Sequence, residues 1–85
     1  MRAYVALIHK DERSDYGVSF PDFPGCITAG STIDEARANA ADALALHVEG
    51  MLEDVDALPK PSALSAIMRD PENRDAVAFL VTRST

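Results

Sequence analysis

With 85 residues, 47% of them apolar, the chain can build one small domain near the lower limit of what folds alone. Its formal charge of −6, from 14 acidic against 8 basic residues, argues against nucleic acid as a target, because that binding rests on Lys and Arg neutralising phosphates. The same charge suits a basic protein partner, whose encounter opposite potentials accelerate.

Arg2 to His9 is apolar on both alternating sets, with Ala3, Val5 and Leu7 on one side and Tyr4, Ala6 and Ile8 on the other. This predicts a central strand covered at least in part on both faces. Lys10 to Asp15 is charged or polar throughout and reads as a hairpin loop. Tyr16, Val18 and Phe20 then alternate with Gly17 and Ser19, as in a strand with one buried face. Gly17 lacks a side chain, so another group can approach the backbone there. Pro21 and Pro24 remove backbone donors, and Gly25 opens a turn conformation closed to most residues, which ends the strand. Cys26 to Gly30 resumes as a third strand, completing an antiparallel meander.

A helix start is marked next. Thr32 as N-cap with Glu35 three positions on fits a reciprocal capping box, and Asp34 and Glu35 lie where the helix dipole favours negative charge. From Ile33 to about Val55 the apolar residues Ile33, Ala36, Ala40, Ala43, Leu44, Val48, Met51, Leu52 and Val55 fall on one broad face. Pro59 and Pro61 forbid continuation. Ser62 to Arg69 reads as a short helix capped by Ser62, and Pro71 and Asn73 mark a loop. Ala76 to Val81, apolar on both sides, is expected inside the sheet beside the first strand. Reached through a helix, it is expected to run parallel to its neighbour by a right-handed crossover. The predicted fold is α+β, a β-β-β-α-(α)-β chain with sheet order 3-2-1-4 and the long helix on one face, forming a single domain over residues 1–85.

The most specific words are Tyr16-Gly17-Val18-Ser19-Phe20-Pro21-Asp22-Phe23-Pro24-Gly25-Cys26, then Ala29-Gly30-Ser31-Thr32-Ile33-Asp34-Glu35-Ala36, followed by an alanine-rich helix. This ordered pattern resembles the HicB antitoxin family, and the likeness extends in layout over the whole chain. The resemblance implies a pared-down ribonuclease H-like fold. It also implies a role in a type II toxin–antitoxin system: binding and occluding a HicA-type toxin, a small basic ribonuclease that cuts messenger RNA with a histidine. Many family members add a C-terminal DNA-binding module. Nothing after Thr82 supplies one here, so operator DNA is expected as a partner only if the natural chain carries that module.

The fold invites a nuclease reading, which the residues oppose. Ribonuclease H chemistry needs converging carboxylates around two metal ions, and the first strand offers none. His9 and His47 have no Ser/His/Asp or Cys/His grouping around them, and the single cysteine, Cys26, reads as a small buried residue. Catalytic, cofactor-binding and metal-binding residues are therefore all expected to be absent.

For partner contacts, the corner around Asp22 and Phe23 has two readings. One is a rigid connection with Phe20 in the core and Phe23 folded over its edge. The other is a preorganised loop presenting Asp22 and Phe23 outward, since rigid aromatics lose little entropy on binding. Along the helix, Glu35, Asp42, Glu49 and Glu53 share a face with Leu46 among them. Such a stripe ordinarily faces solvent; it also suits a basic protein or a second copy of the chain. The expected partner residues are Asp22, Phe23, Glu35, Asp42, Leu46 and Glu49.

The expectation is thus a cytoplasmic, non-enzymatic antitoxin domain that pairs with a HicA-type toxin and assembles as a homo-oligomer, a dimer or tetramer. No apolar run approaches the length of a membrane span. Two alternatives stay open: a relict metal-dependent ribonuclease H-like nuclease, and a standalone self-associating protein of the same family.

Overall fold

Residues 2–10 and 15–83 are described by a computed structural model. The doubly apolar first segment forms strand β1 (Arg2–Lys10), and Tyr4 through Ile8 are buried without a break. Such a run needs cover on both faces, and both faces receive it. Tyr4, Ala6 and Ile8 join Val18, Phe20, Phe23 and the buried stripe of a long helix in the main core. Val5 and Leu7 point the other way, into a smaller core with Ile67 and Ala76.

Strands β2 (Tyr16–Ser19) and β3 (Ile27–Gly30) complete the predicted meander. Lys10 belongs to β1, and residues 11–14 of the expected hairpin loop lie outside the described residues. The opening foreseen at Gly17 is not used: a Cβ there would meet only the His9 carbonyl at an ordinary 3.8 Å. Gly25 does adopt the turn conformation expected of it, with φ of 88°.

Helix α1 (Ile33–Glu53) starts where the capping residues place it. The Thr32 hydroxyl accepts the Glu35 amide at 3.0 Å, while the Glu35 carboxylate reaches back one residue further than the reciprocal box requires, accepting from the Ser31 amide at 3.1 Å. The buried stripe is narrower than the sequence suggests. Ala36, Ala40, Leu44 and Val48 are fully covered, whereas Ile33, Leu52 and Val55 are exposed. Small residues at the start let α1 close on the sheet: a Cβ on Gly30 would stand 2.4 Å from the Ala36 amide nitrogen.

The order β3-β2-β1-β4 is as expected, with the long helix on one face. Strand β4 (Val77–Arg83) corrects the expectation in two ways. It runs antiparallel to β1, pairing Val77 with Ile8 and Arg83 with Arg2, and it lies at the edge of the sheet, not inside it. The connection explains the direction. After α1 descends, the buried Tyr4 hydroxyl donates to the Pro59 carbonyl at 2.6 Å and pins the chain beside the start of β1. Helix α2 (Leu64–Met68) and a 3-10 turn (Pro71–Asn73) then climb the second face, with Ile67 packed on Val5 and Leu7. The chain re-enters the sheet beside Ile8 and can only descend. Ser62 does not cap α2 as predicted; Ala63 holds that position without a side-chain bond, and α2 is shorter than the Ser62–Arg69 span.

Candidate partner-binding surface

The corner between β2 and β3 folds inward. Phe23 is 1% exposed, its ring edge-on to Tyr4 with centroids 4.6 Å apart and edge-on to His47 at 5.7 Å. The turn around it is closed by backbone bonds, Phe23 amide to Phe20 carbonyl and Cys26 amide to Phe23 carbonyl, each at 3.0 Å. The outward-facing reading of Phe23 therefore gives way to the packing one, because the ring has no surface left to offer. Asp22 is half-buried, and its carboxylate accepts both the Ser62 amide, at 2.8 Å, and the Ser62 hydroxyl. It fastens the corner to the segment that leads into α2, which is structural work that leaves little of the carboxylate free.

The helix candidates divide. Glu35 is exposed, but its two carboxylate oxygens accept from the Ser31 amide and hydroxyl, so it finishes the helix start. Asp42, Leu46 and Glu49 are exposed together, Leu46 at 70%. Their spacing of four and three residues places them side by side on the helix surface.

Leu46 does not stand alone there. It lines a groove of about 300 Å³ between α1 and the end of the corner, shared with Gly25, Cys26, Ile27, Ala43 and His47. Ile27, the first residue of β3, is 72% exposed on the same groove. Two large apolar side chains thus flank an open cleft with carboxylates on the adjoining helix surface. Ile27 escaped the sequence reading; its signal was its place directly after Cys26, where the buried partner of an alternating pair leaves its neighbour outward.

Chemically the groove offers two exposed apolar side chains beside one thiol and one imidazole. Burial pushes the Cys26 thiol above its ordinary pKa, which keeps it protonated and poorly nucleophilic. Among the described residues no group of three His, Cys, Asp or Glu side chains is placed to hold a metal ion. No helix among them is long and apolar enough to cross a membrane.

Residues 4–84 match the family described as the HicB-like antitoxin of bacterial toxin–antitoxin systems. An uncharacterised 14.9 kDa protein from the rep–hol intergenic region of Haemophilus phage HP1 is 46% identical over 66 residues, covering 78% of this chain and 50% of the phage protein. The chain therefore spans half the length of that relative. The crystal structure of the N-terminal domain of Burkholderia pseudomallei antitoxin HicB superposes with a TM-score of 0.88 at 34% identity, over 98% of this chain and 99% of that one. A chain of the HicA3–HicB3 toxin–antitoxin complex superposes with a TM-score of 0.79 at 27% identity, covering 98% and 99%.

Proposed function

This chain belongs to the HicB-like antitoxin family, and from that premise we propose that it neutralises a HicA-type toxin by binding it and covering its RNA-cleaving surface. The action is blockade, with no bond-breaking by the antitoxin itself. The observation that carries the reading is the open Ile27–Leu46 groove beside Asp42 and Glu49. Exposed apolar anchors give a partner something to desolvate, and the neighbouring carboxylates match the basic surface expected of the toxin. A chain of this fold within a toxin–antitoxin complex supports the same partner class. Cytoplasmic action follows from the proposed partner, an enzyme that works on messenger RNA. Binding of operator DNA is assigned to no residue of this acidic domain.

Mixing the purified chain with its cognate toxin tests the proposal. The expected result is loss of messenger RNA cleavage at stoichiometric antitoxin, with a complex visible by calorimetry. Undiminished cleavage in excess antitoxin overturns it.

A further inference from the structure

The charge of the Ile27–Leu46 groove rests on very few groups. Its lining is Gly25, Cys26, Ile27, Ala43, Leu46 and His47, of which Cys26 and His47 are ionisable. Burial keeps the Cys26 thiol protonated and therefore neutral. That leaves His47, half-buried on α1, as the lining group whose charge can change under mild conditions. Phe23 holds the imidazole in place. The two rings meet edge-on at 5.7 Å and 77°, and Phe23 is braced in turn by Tyr4.

Among the described residues no carboxylate lines the groove to neutralise a proton there. On α1 the residues sharing the side of His47, three and four positions away, are Ala43, Leu44, Gly50 and Met51. Asp42 and Glu49, five positions before and two after, lie on the outer surface of the helix. Asp54 is two turns on, about 10 Å along the axis. From the corner, the Asp22 carboxylate is taken up by the Ser62 amide and hydroxyl. Behind Phe23, the Tyr4 hydroxyl and the Arg2 guanidinium both donate to the Pro59 carbonyl. From β3 the groove receives Ile27, which cannot ionise.

We propose that His47 makes toxin capture pH-dependent, the groove gripping its basic partner while the imidazole is neutral and losing it once the imidazole is charged. The proposal rests on the toxin-binding reading given above. Imidazole is the side chain that ordinarily changes charge between about pH 5 and 8. Protonation sets a cation beside Ile27 and Leu46, the two exposed apolar anchors of the groove. A partner covering those anchors must then strip water from the charge, which disfavours the complex. The partner is itself basic, so like charges are also brought together. Both effects have the same sign. By reciprocity, a toxin that prefers the neutral ring makes its protonation harder, and a proton is taken up as the toxin leaves. Affinity is therefore full above the titration range of the imidazole and is lost as pH falls through it.

Calorimetric titration of the full chain with its toxin at about pH 8 and about pH 5.5, at one ionic strength, tests this. The toxin's own histidine titrates as well, so the informative quantity is a comparison with His47→Gln, which cannot take the charge. The ratio of the affinities at the two pH values should be about tenfold larger for the unmodified chain, the effect of excluding one proton over roughly one pH unit. Because His47→Gln could loosen Phe23, NMR titration of the imidazole in the unmodified chain gives a second readout. Its midpoint is expected to lie lower in the complex than in the free protein. The same ratio in both chains, or a midpoint that is unmoved or raised on binding, overturns the switch and leaves the toxin reading standing. A midpoint raised on binding would mean that the imidazolium meets a carboxylate of the toxin. No binding at about pH 8 overturns the toxin reading, and this proposal with it.

Discussion

Phe23 meets Tyr4 edge-on, with ring centroids 4.6 Å apart and planes inclined at 69°. That pair joins the corner to the first half of β1, and both residues are fully buried. Phe23→Ala should therefore destabilise the fold by about 3–5 kcal/mol, the range for a buried aromatic truncated in a core. Urea unfolding measures it. A loss below about 1 kcal/mol, together with weakened toxin binding, would return Phe23 to the role of an exposed anchor.

Leu46 is the counterpart at the surface. Leu46→Ala and Ile27→Ala should each weaken toxin binding by about 1–2 kcal/mol while leaving the unfolding midpoint nearly unchanged, because both side chains are solvated in the free protein. Calorimetric titration of toxin, paired with thermal unfolding of the antitoxin, separates the two effects. Unaltered affinity in both variants would remove the groove from the interface.

The carboxylates beside Leu46 act through the rate of encounter. Asp42→Lys with Glu49→Lys should slow association with the basic toxin several-fold and flatten its dependence on salt, because exposed charges steer over a range that salt screens. Stopped-flow association at low and high ionic strength reports it. Equal rates for the variant and the unmodified chain mean that these acids only face solvent.

Two glycines should respond to alanine with opposite signs. A Cβ on Gly30 would press on the Ala36 backbone at 2.4 Å, and neither the strand end nor the first helical turn can yield cheaply. Gly30→Ala should cost about 1–3 kcal/mol by overpacking. Gly50 lies within α1 with nothing within 4 Å of a new Cβ. Gly50→Ala should add roughly 0.5–1 kcal/mol by helix propensity alone. Chemical denaturation of both variants checks the pair.

How far the sequence could be read depended on the range of the causes. The start of α1 is a local event: Thr32 and Glu35 settle it with their near neighbours, and the helix begins at Ile33 as read, although the Glu35 carboxylate takes the Ser31 amide in place of that of Thr32. The strand order followed from β1 being apolar on both sides, which demands a central place. Phe23 could not be assigned in the same way, because its burial depends on Tyr4 and on His47 of the distant helix. The direction of β4 depended on a connection with little periodicity, fixed by the Tyr4–Pro59 bond and by Ile67 packing on the second face. Ile27 and Leu46 form a groove only after β3 and α1 have docked. Contacts made between elements, more than the elements themselves, were what the pattern of residues left open.

The end of α1 offers the last test. The Asp56 amide donates to the Met51 carbonyl at 2.8 Å and the Val55 amide to the Leu52 carbonyl at 3.2 Å, the paired bonds of a Schellman turn. That turn needs a left-handed residue at its pivot, ordinarily glycine, and here the pivot is Val55 with φ of 60°. Left-handed backbone costs an L-residue about 1–2 kcal/mol, and a branched Cβ makes it worse. Val55 recovers nothing through packing, since it is 89% exposed. Val55→Gly removes the strain, and the greater freedom of glycine in the unfolded chain returns part of the gain, about 0.4–1 kcal/mol. The net expectation is stabilisation by roughly 1 kcal/mol, seen as a higher denaturation midpoint at unchanged slope. A lower midpoint for Val55→Gly would mean that the helix ends in some other way.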